Sequence, residues 1–199
     1  SLMTHGLMVT KYGPPSEMPR NDSDATAKGI IREMHCAFGC GSGLIELYVD
    51  NDLMSTIGND GELWAALAEC IKWHRENEDV LADVHWVGGN PWDGYKANVY
   101  GWASWNGQKA TLTLRNPSAT SKTFSTTLRE ALDIPYYVTG NITLTDAFKN
   151  QTQYTGITGE SIDIDQTISF NMPAFDVVVL NGDCSEPVEL TGSMTISNI

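Results

Sequence analysis

The apolar periodicity of this 199-residue chain changes once, near residue 85, and that change limits the folds open to it. Before it, apolar residues recur at helical spacing. In "SDATAKGIIREMHCAFG" a polar start at Ser23 or Asp24 precedes Ile30, Ile31, Met34 and Phe38, and Gly39 supplies a stop, so the pattern predicts a capped helix. "NDGELWAALAECIKWHREN" predicts a second, starting at Asn59 or Asp60 with Glu62 in its first turn and Leu63, Leu67, Cys70, Ile71 and His74 along one face. Leu44 to Val49, "LIELYV", has the length and residue types of a strand, and Leu2 to Val9 reads as another. The resulting order of strand, long loop, helix, strand, loop, helix describes two β/α units of a parallel sheet. The Pro-rich loop from Thr10 to Asp22 fits a functional rim better than a minimal connection.

After residue 85 short alternating segments take over, separated by Asn106-Gly107, Asn116-Pro117, Gly140-Asn141 and Asn181-Gly182. "NVYGWASW" and "KATLTLRN" flank Asn-Gly, which predicts a hairpin. "YYVTGNITLTDAF", "QTQYTGI", "QTISFNMP" and "FDVVVLNG" continue at the spacing of an antiparallel sandwich. "GGNPWDGY" reads as the turn into this half. The fold class expected is therefore α/β followed by all-β, with residues 1–84 and 85–199 as its two domains.

Composition excludes some roles. A net charge of −13 with only 12 Lys and Arg argues against a nucleic-acid partner. The longest apolar runs fall far short of the roughly 20 residues needed to span a bilayer. The N-terminal residues lack the features of a secretory signal and begin like the interior of a longer chain. Cys36 and Cys40 with His35 offer no second close pair to complete a metal site, so Cys36, Cys40, Cys70 and Cys184 read as buried thiols, and no metal or cofactor is expected. Two parallel strands alone would leave both sheet edges bare, which points to a missing N-terminal part of the same protein.

"FGCGSGLIELYVD", "LWAALAECIKWHRENEDVLADVHWVGGNP" and "YGWASWNGQKATLTLRNPS" together resemble the C-terminal portion of glycoside hydrolases from gut Bacteroides-type bacteria, sometimes labelled enterotoxin and related to the alpha-galactosidase (melibiase) superfamily. The resemblance covers most of the chain, and its most telling piece is the Trp-rich junction leading into "TLRNPS". It implies that residues 1–84 are the last two β/α units of a (β/α)8 barrel and the remainder a C-terminal β-sandwich. It also implies a glycan or oligosaccharide substrate, a periplasmic, cell-surface or secreted location, and a catalytic carboxylate pair on strands upstream of this chain.

On that placement the alternation of "LIELYV" turns Leu44, Glu46 and Tyr48 into the barrel and Ile45, Leu47 and Val49 towards the helices. Glu46 either meets a sugar or pairs with a neighbouring cation. Asp50 and Asp52 lie in the loop after the strand, where barrel active sites assemble, although a carboxylate there also caps turns. His5 is placed to bind a sugar hydroxyl or to sit satisfied in the core, and Lys11 begins the rim loop. The substrate-binding candidates are thus Glu46, Asp50, His5 and Lys11. Trp86, Trp92, Trp102 and Trp105 gather at the junction, where they either stack on sugars or join the domains.

Overall fold

The computed structural model describes residues 4–9, 23–41, 44–49, 54–55, 61–89 and 98–184. Strands β1 (Thr4–Val9) and β2 (Leu44–Val49) pair in parallel, from Thr4 opposite Leu44 to Val9 opposite Val49. Helix α1 (Ser23–Gly39) lies between them in sequence, and α2 (Glu62–Glu76) follows β2. The bounds of α1 are those its cap signals predict. Its apolar stripe of Ile30, Ile31, Met34 and Phe38 is buried throughout. On α2 the buried stripe runs through Leu63, Ala66, Leu67, Cys70 and Trp73, while Ile71 and His74 lie at its margin, a small rotation from the expected face.

The second half is antiparallel. Strands β3 (His85–Gly88), β4 (Tyr100–Trp105), β5 (Lys109–Arg115), β7 (Asn141–Asp146), β8 (Ser161–Asp163) and β10 (Val177–Asp183) form one six-stranded sheet in the order β3-β4-β5-β10-β7-β8. Strands β6 (Lys122–Thr127) and β9 (Thr167–Met172) form a separate pair, and a one-turn helix α3 (Leu128–Ala131) follows β6. The predicted hairpin is β4–β5, and Gly107 of its Asn-Gly turn has φ 91°, a value that costs glycine nothing.

Two predicted strand segments fold otherwise. "QTQYTGI" forms turns, with the Ile157 and Thr158 N–H groups both donating to the Tyr154 carbonyl, because Tyr154 and Ile157 are drawn into the core as anchors. Tyr136 and Tyr137 precede β7 and stand outside it.

The large sheet is covered on both faces. One face meets the β6–β9 pair across a core containing Leu112, Leu114, Leu144, Ile168, Phe170, Met172, Val178 and Leu180. The other meets α1 and α2, whose core takes in Val177, Val179 and Phe148. Strand β10 therefore serves both cores, its successive side chains pointing to opposite faces. The threonines of β5 follow the same rule. Thr111 and Thr113 are buried beneath the helices, and the Thr113 hydroxyl donates to the Gly39 carbonyl at 2.9 Å. A Cβ on Gly39 would fall 2.4 Å from that hydroxyl oxygen, so the glycine lets the end of α1 lie directly on the sheet.

Candidate functional site

The parallel alignment of β1 and β2 brings Val9 and Val49 side by side, so both strands end at the same rim. Glu46 lies on β2 behind that rim and is exposed. Its exposure spares it the full cost that a buried carboxylate in a strand of apolar residue types would carry. The residue in register beside it is Gly6, which leaves the adjoining row without a side chain. His5 occupies the neighbouring row, opposite Ile45, and so does not share a row with Glu46. Asp50, Asp52 and Lys11 lie outside the described residues, as does Trp92.

Behind this rim, α1 is tied to the large sheet by polar contacts that the sequence did not single out. Arg115 of β5 makes a two-pronged ion pair with Glu33 at 2.7 and 3.1 Å and approaches the Cys36 sulfur at 3.5 Å. Arg115 is the arginine of "TLRNPS". Next to it Asn116 is fully buried and holds the turn that follows: its amide donates to the carbonyls of Thr120, Met172 and Pro173 at 2.9, 3.2 and 2.7 Å, and its oxygen accepts from the Ser118 N–H. The motif that carried the resemblance is thus a joint between layers.

A second tie runs from Arg32 to Asp176, 3.7 Å away. Asp176 is 1 % exposed and accepts from the Tyr154 hydroxyl at 2.8 Å and the Thr152 hydroxyl at 2.9 Å. Burial, together with that bond to Asp176, pushes the Tyr154 phenol well above its ordinary range. His35 is stacked on Phe148 with ring centroids 4.2 Å apart, and burial lowers its pKa to about 4. Burial likewise raises Cys36 to about 11 and Cys70 to about 12, so these thiols stay protonated and unreactive at neutral pH. All four cysteines are buried without a disulfide.

The tryptophans of α2 and of the junction divide. Trp73 is buried, with its indole N–H donating to the Asn181 side-chain oxygen at 2.7 Å, and joins α2 to β10. Trp64, on the same helix, is 38 % exposed. Trp86 stacks on Tyr100 at 4.9 Å, nearly parallel, and meets Trp102 edge to face, while its own indole N–H donates to the Gly89 carbonyl. Trp105 packs into the core between the sheets. Among the described residues no group of three or more His, Cys, Asp or Glu is arranged to hold a metal ion, and no helix is long and apolar enough to cross a membrane.

No family model matches the chain, and no curated protein does. Solved structures are similar to it. Alpha-galactosidase I from Mortierella vinacea aligns with a TM-score of 0.52 at 13 % identity, over 82 % of this chain and 37 % of that one. The Saccharomyces cerevisiae alpha-galactosidase with raffinose aligns at 0.55 and 12 % identity, over 89 % and 45 %. A GH27 β-L-arabinopyranosidase from Geobacillus stearothermophilus aligns at 0.51 and 11 % identity, over 93 % and 37 %. The chain spans less than half the length of each. At such identities the likeness is one of fold, and the fold is shared with alpha-galactosidase-like glycoside hydrolases.

Proposed function

We propose that this chain is the C-terminal part of an alpha-galactosidase-like glycoside hydrolase acting on glycans outside the cytoplasm. On this reading β1–α1 and β2–α2 are the last two units of a (β/α)8 barrel, and residues 85–199 are its accessory β-sandwich. The observation that carries the reading is the seating of two strand-helix units on an antiparallel sheet, in a chain whose likeness of fold to such enzymes runs over 82 to 93 % of its length. Two further features support it. Among the described residues β1 and β2 pair only with each other, leaving edges that a closed barrel would fill. Helix α2 turns Trp64 and Ala68 outward, and Ala68, half-buried Ile71, Lys72, Arg75 and Glu76 line a depression where a further unit would pack.

Glycoside hydrolysis uses two carboxyl groups flanking the scissile bond. In this reading those groups stand on barrel strands outside the chain. Glu46, with Asp50 and Lys11, lines the sugar-binding wall, where an exposed carboxylate accepts hydrogen bonds from sugar hydroxyls, while His5, in register with Ile45, belongs to the other row. The test uses a nitrophenyl α-galactoside. The chain alone is expected to leave it intact, and the same chain joined to the preceding barrel units is expected to hydrolyse it. In that longer protein Glu46→Gln should raise KM about tenfold, the value of one charged hydrogen bond to substrate. Hydrolysis by residues 1–199 alone would overturn the placement of the carboxyl pair, and an unchanged KM would remove Glu46 from the wall.

A second reading, in which the sandwich serves only to support the barrel, is favoured by the packing of Phe148, Val177 and Val179 among the helices. It predicts no affinity for glycans in the antiparallel half.

A further inference from the structure

The segment between α3 and β7 presents two adjacent tyrosines to solvent, Tyr136 at 89 % and Tyr137 at 46 % exposure. Their rings meet edge to face, with centroids 5.5 Å apart and planes at 83°. An exposed aromatic on a loose loop would need no explanation, but this loop is held from both sides. Ile134 and Val138, which bracket the pair, are 4 % and 3 % exposed and belong to the core between the sheets. Arg129 fixes the backbone between them. It donates to the carbonyls of Ile134 at 3.5 Å, Pro135 at 2.6 Å and Val138 at 2.8 Å, and its other N–H groups grip both carboxylate oxygens of Asp165 at 2.5 and 2.8 Å. A guanidinium has five N–H donors, and here all five are used. The fold thus spends an entire arginine on a short turn whose visible product is the outward display of two phenol rings.

From this we infer that Tyr136 and Tyr137 form a surface site for a neutral saccharide chain, separate from the rim that bears Glu46. The chemistry selects the ligand. Two rings offer roughly 400 Å² of burial at most, about half of what one partner contributes to a stable protein interface and well matched to one or two sugar rings. Tyrosine faces take the CH-rich side of a sugar while the phenol hydroxyls exchange hydrogen bonds with its hydroxyls. Asp133 is exposed beside the pair, and the chain carries a net charge of −13, which disfavours sulfated or phosphorylated polymers. A pinned backbone also lowers the ordering cost of binding.

The inference takes from the glycosidase reading only the choice of probe, and its test does not require hydrolysis. Retardation of the full chain in native gels is compared with and without neutral galactomannan, and with a sulfated galactan as control. The chain should be retarded by galactomannan and not by the sulfated polymer. Tyr136→Ala with Tyr137→Ala should weaken retention at least tenfold with an unchanged unfolding midpoint, since both side chains are exposed. Arg129→Lys, which loosens the turn without touching a ligand, should weaken retention severalfold, with the midpoint measured alongside. Equal retention by the double tyrosine variant, or no retention by galactomannan, overturns the site. A native mass that rises with concentration and falls back in the tyrosine variant would overturn it in favour of self-association. Absence of hydrolysis in the longer protein would undo the catalytic reading alone.

Discussion

Acidification from pH 6.5 to pH 4 is expected to cost the protein about 3 kcal/mol of stability through His35 alone. The imidazole is 2 % exposed, stacked on Phe148 between α1 and the large sheet, and burial holds its pKa at about 4 against an ordinary 6.5. In this window the unfolded chain takes up a proton that the folded chain refuses, so folding weakens as the pH falls. The contribution is intact above about 6.5, declines through the interval and is fully lost below about 4. Urea midpoints measured at half-unit steps will contain the titration of other groups as well, so the informative quantity is the difference from His35→Phe. Phenylalanine keeps a flat ring against Phe148 and cannot be protonated. The variant should fall less steeply between pH 6.5 and 4, and parallel curves would show that His35 is accessible to protons in the folded state.

Asn116→Leu is expected to destabilise the protein by about 3 to 5 kcal/mol. Leucine matches asparagine in branching but carries two bulkier methyl groups, so overpacking adds to a loss that is mainly polar: the carbonyls of Thr120, Met172 and Pro173 lose a buried donor and the Ser118 N–H loses its acceptor. Each stranded group costs about 1 to 3 kcal/mol, reduced where the turn opens to water. The damage should spread to the helix tie. The facing turn between β9 and β10 carries Phe175, whose φ is 55°, and its N–H bond to the Ser118 carbonyl helps to present Asp176 to Arg32 and Tyr154. A lower urea midpoint with an unchanged slope is the expected record. A loss below about 1 kcal/mol would mean that the turn is held by its backbone bonds.

What the sequence disclosed was largely what neighbouring residues decide. Ser23 and Gly39 bound α1 because caps act within one helical turn, and Asn106-Gly107 marks the β4–β5 hairpin because its geometry is complete in two residues. The insertion of β10 between β5 and β7, and the separation of β6–β9 into its own sheet, depend on pairings between distant segments that no local pattern encodes. "QTQYTGI" shows the hazard: its apparent alternation comes from Tyr154 and Ile157 anchoring a turn. The same division holds for the site. Glu46 stood out as the lone charge in an apolar segment. Asp176 and Arg129 did not, because each acquires its meaning from a remote partner, Arg32 and Asp165 respectively, and His35, noticed only beside Cys36 and Cys40, gave no local sign of its stacking on Phe148.

Strand β10 was seen to give Val177 and Val179 to one core and Val178 and Leu180 to the other. The consequence is architectural interdependence. A cut in the chain near residue 84 would not yield two freestanding pieces, because the helices would forfeit part of their own interior and the sheet would be left with an oily back. Recombination of such halves in evolution would therefore have to carry a matching helical surface along with every sandwich it exchanged.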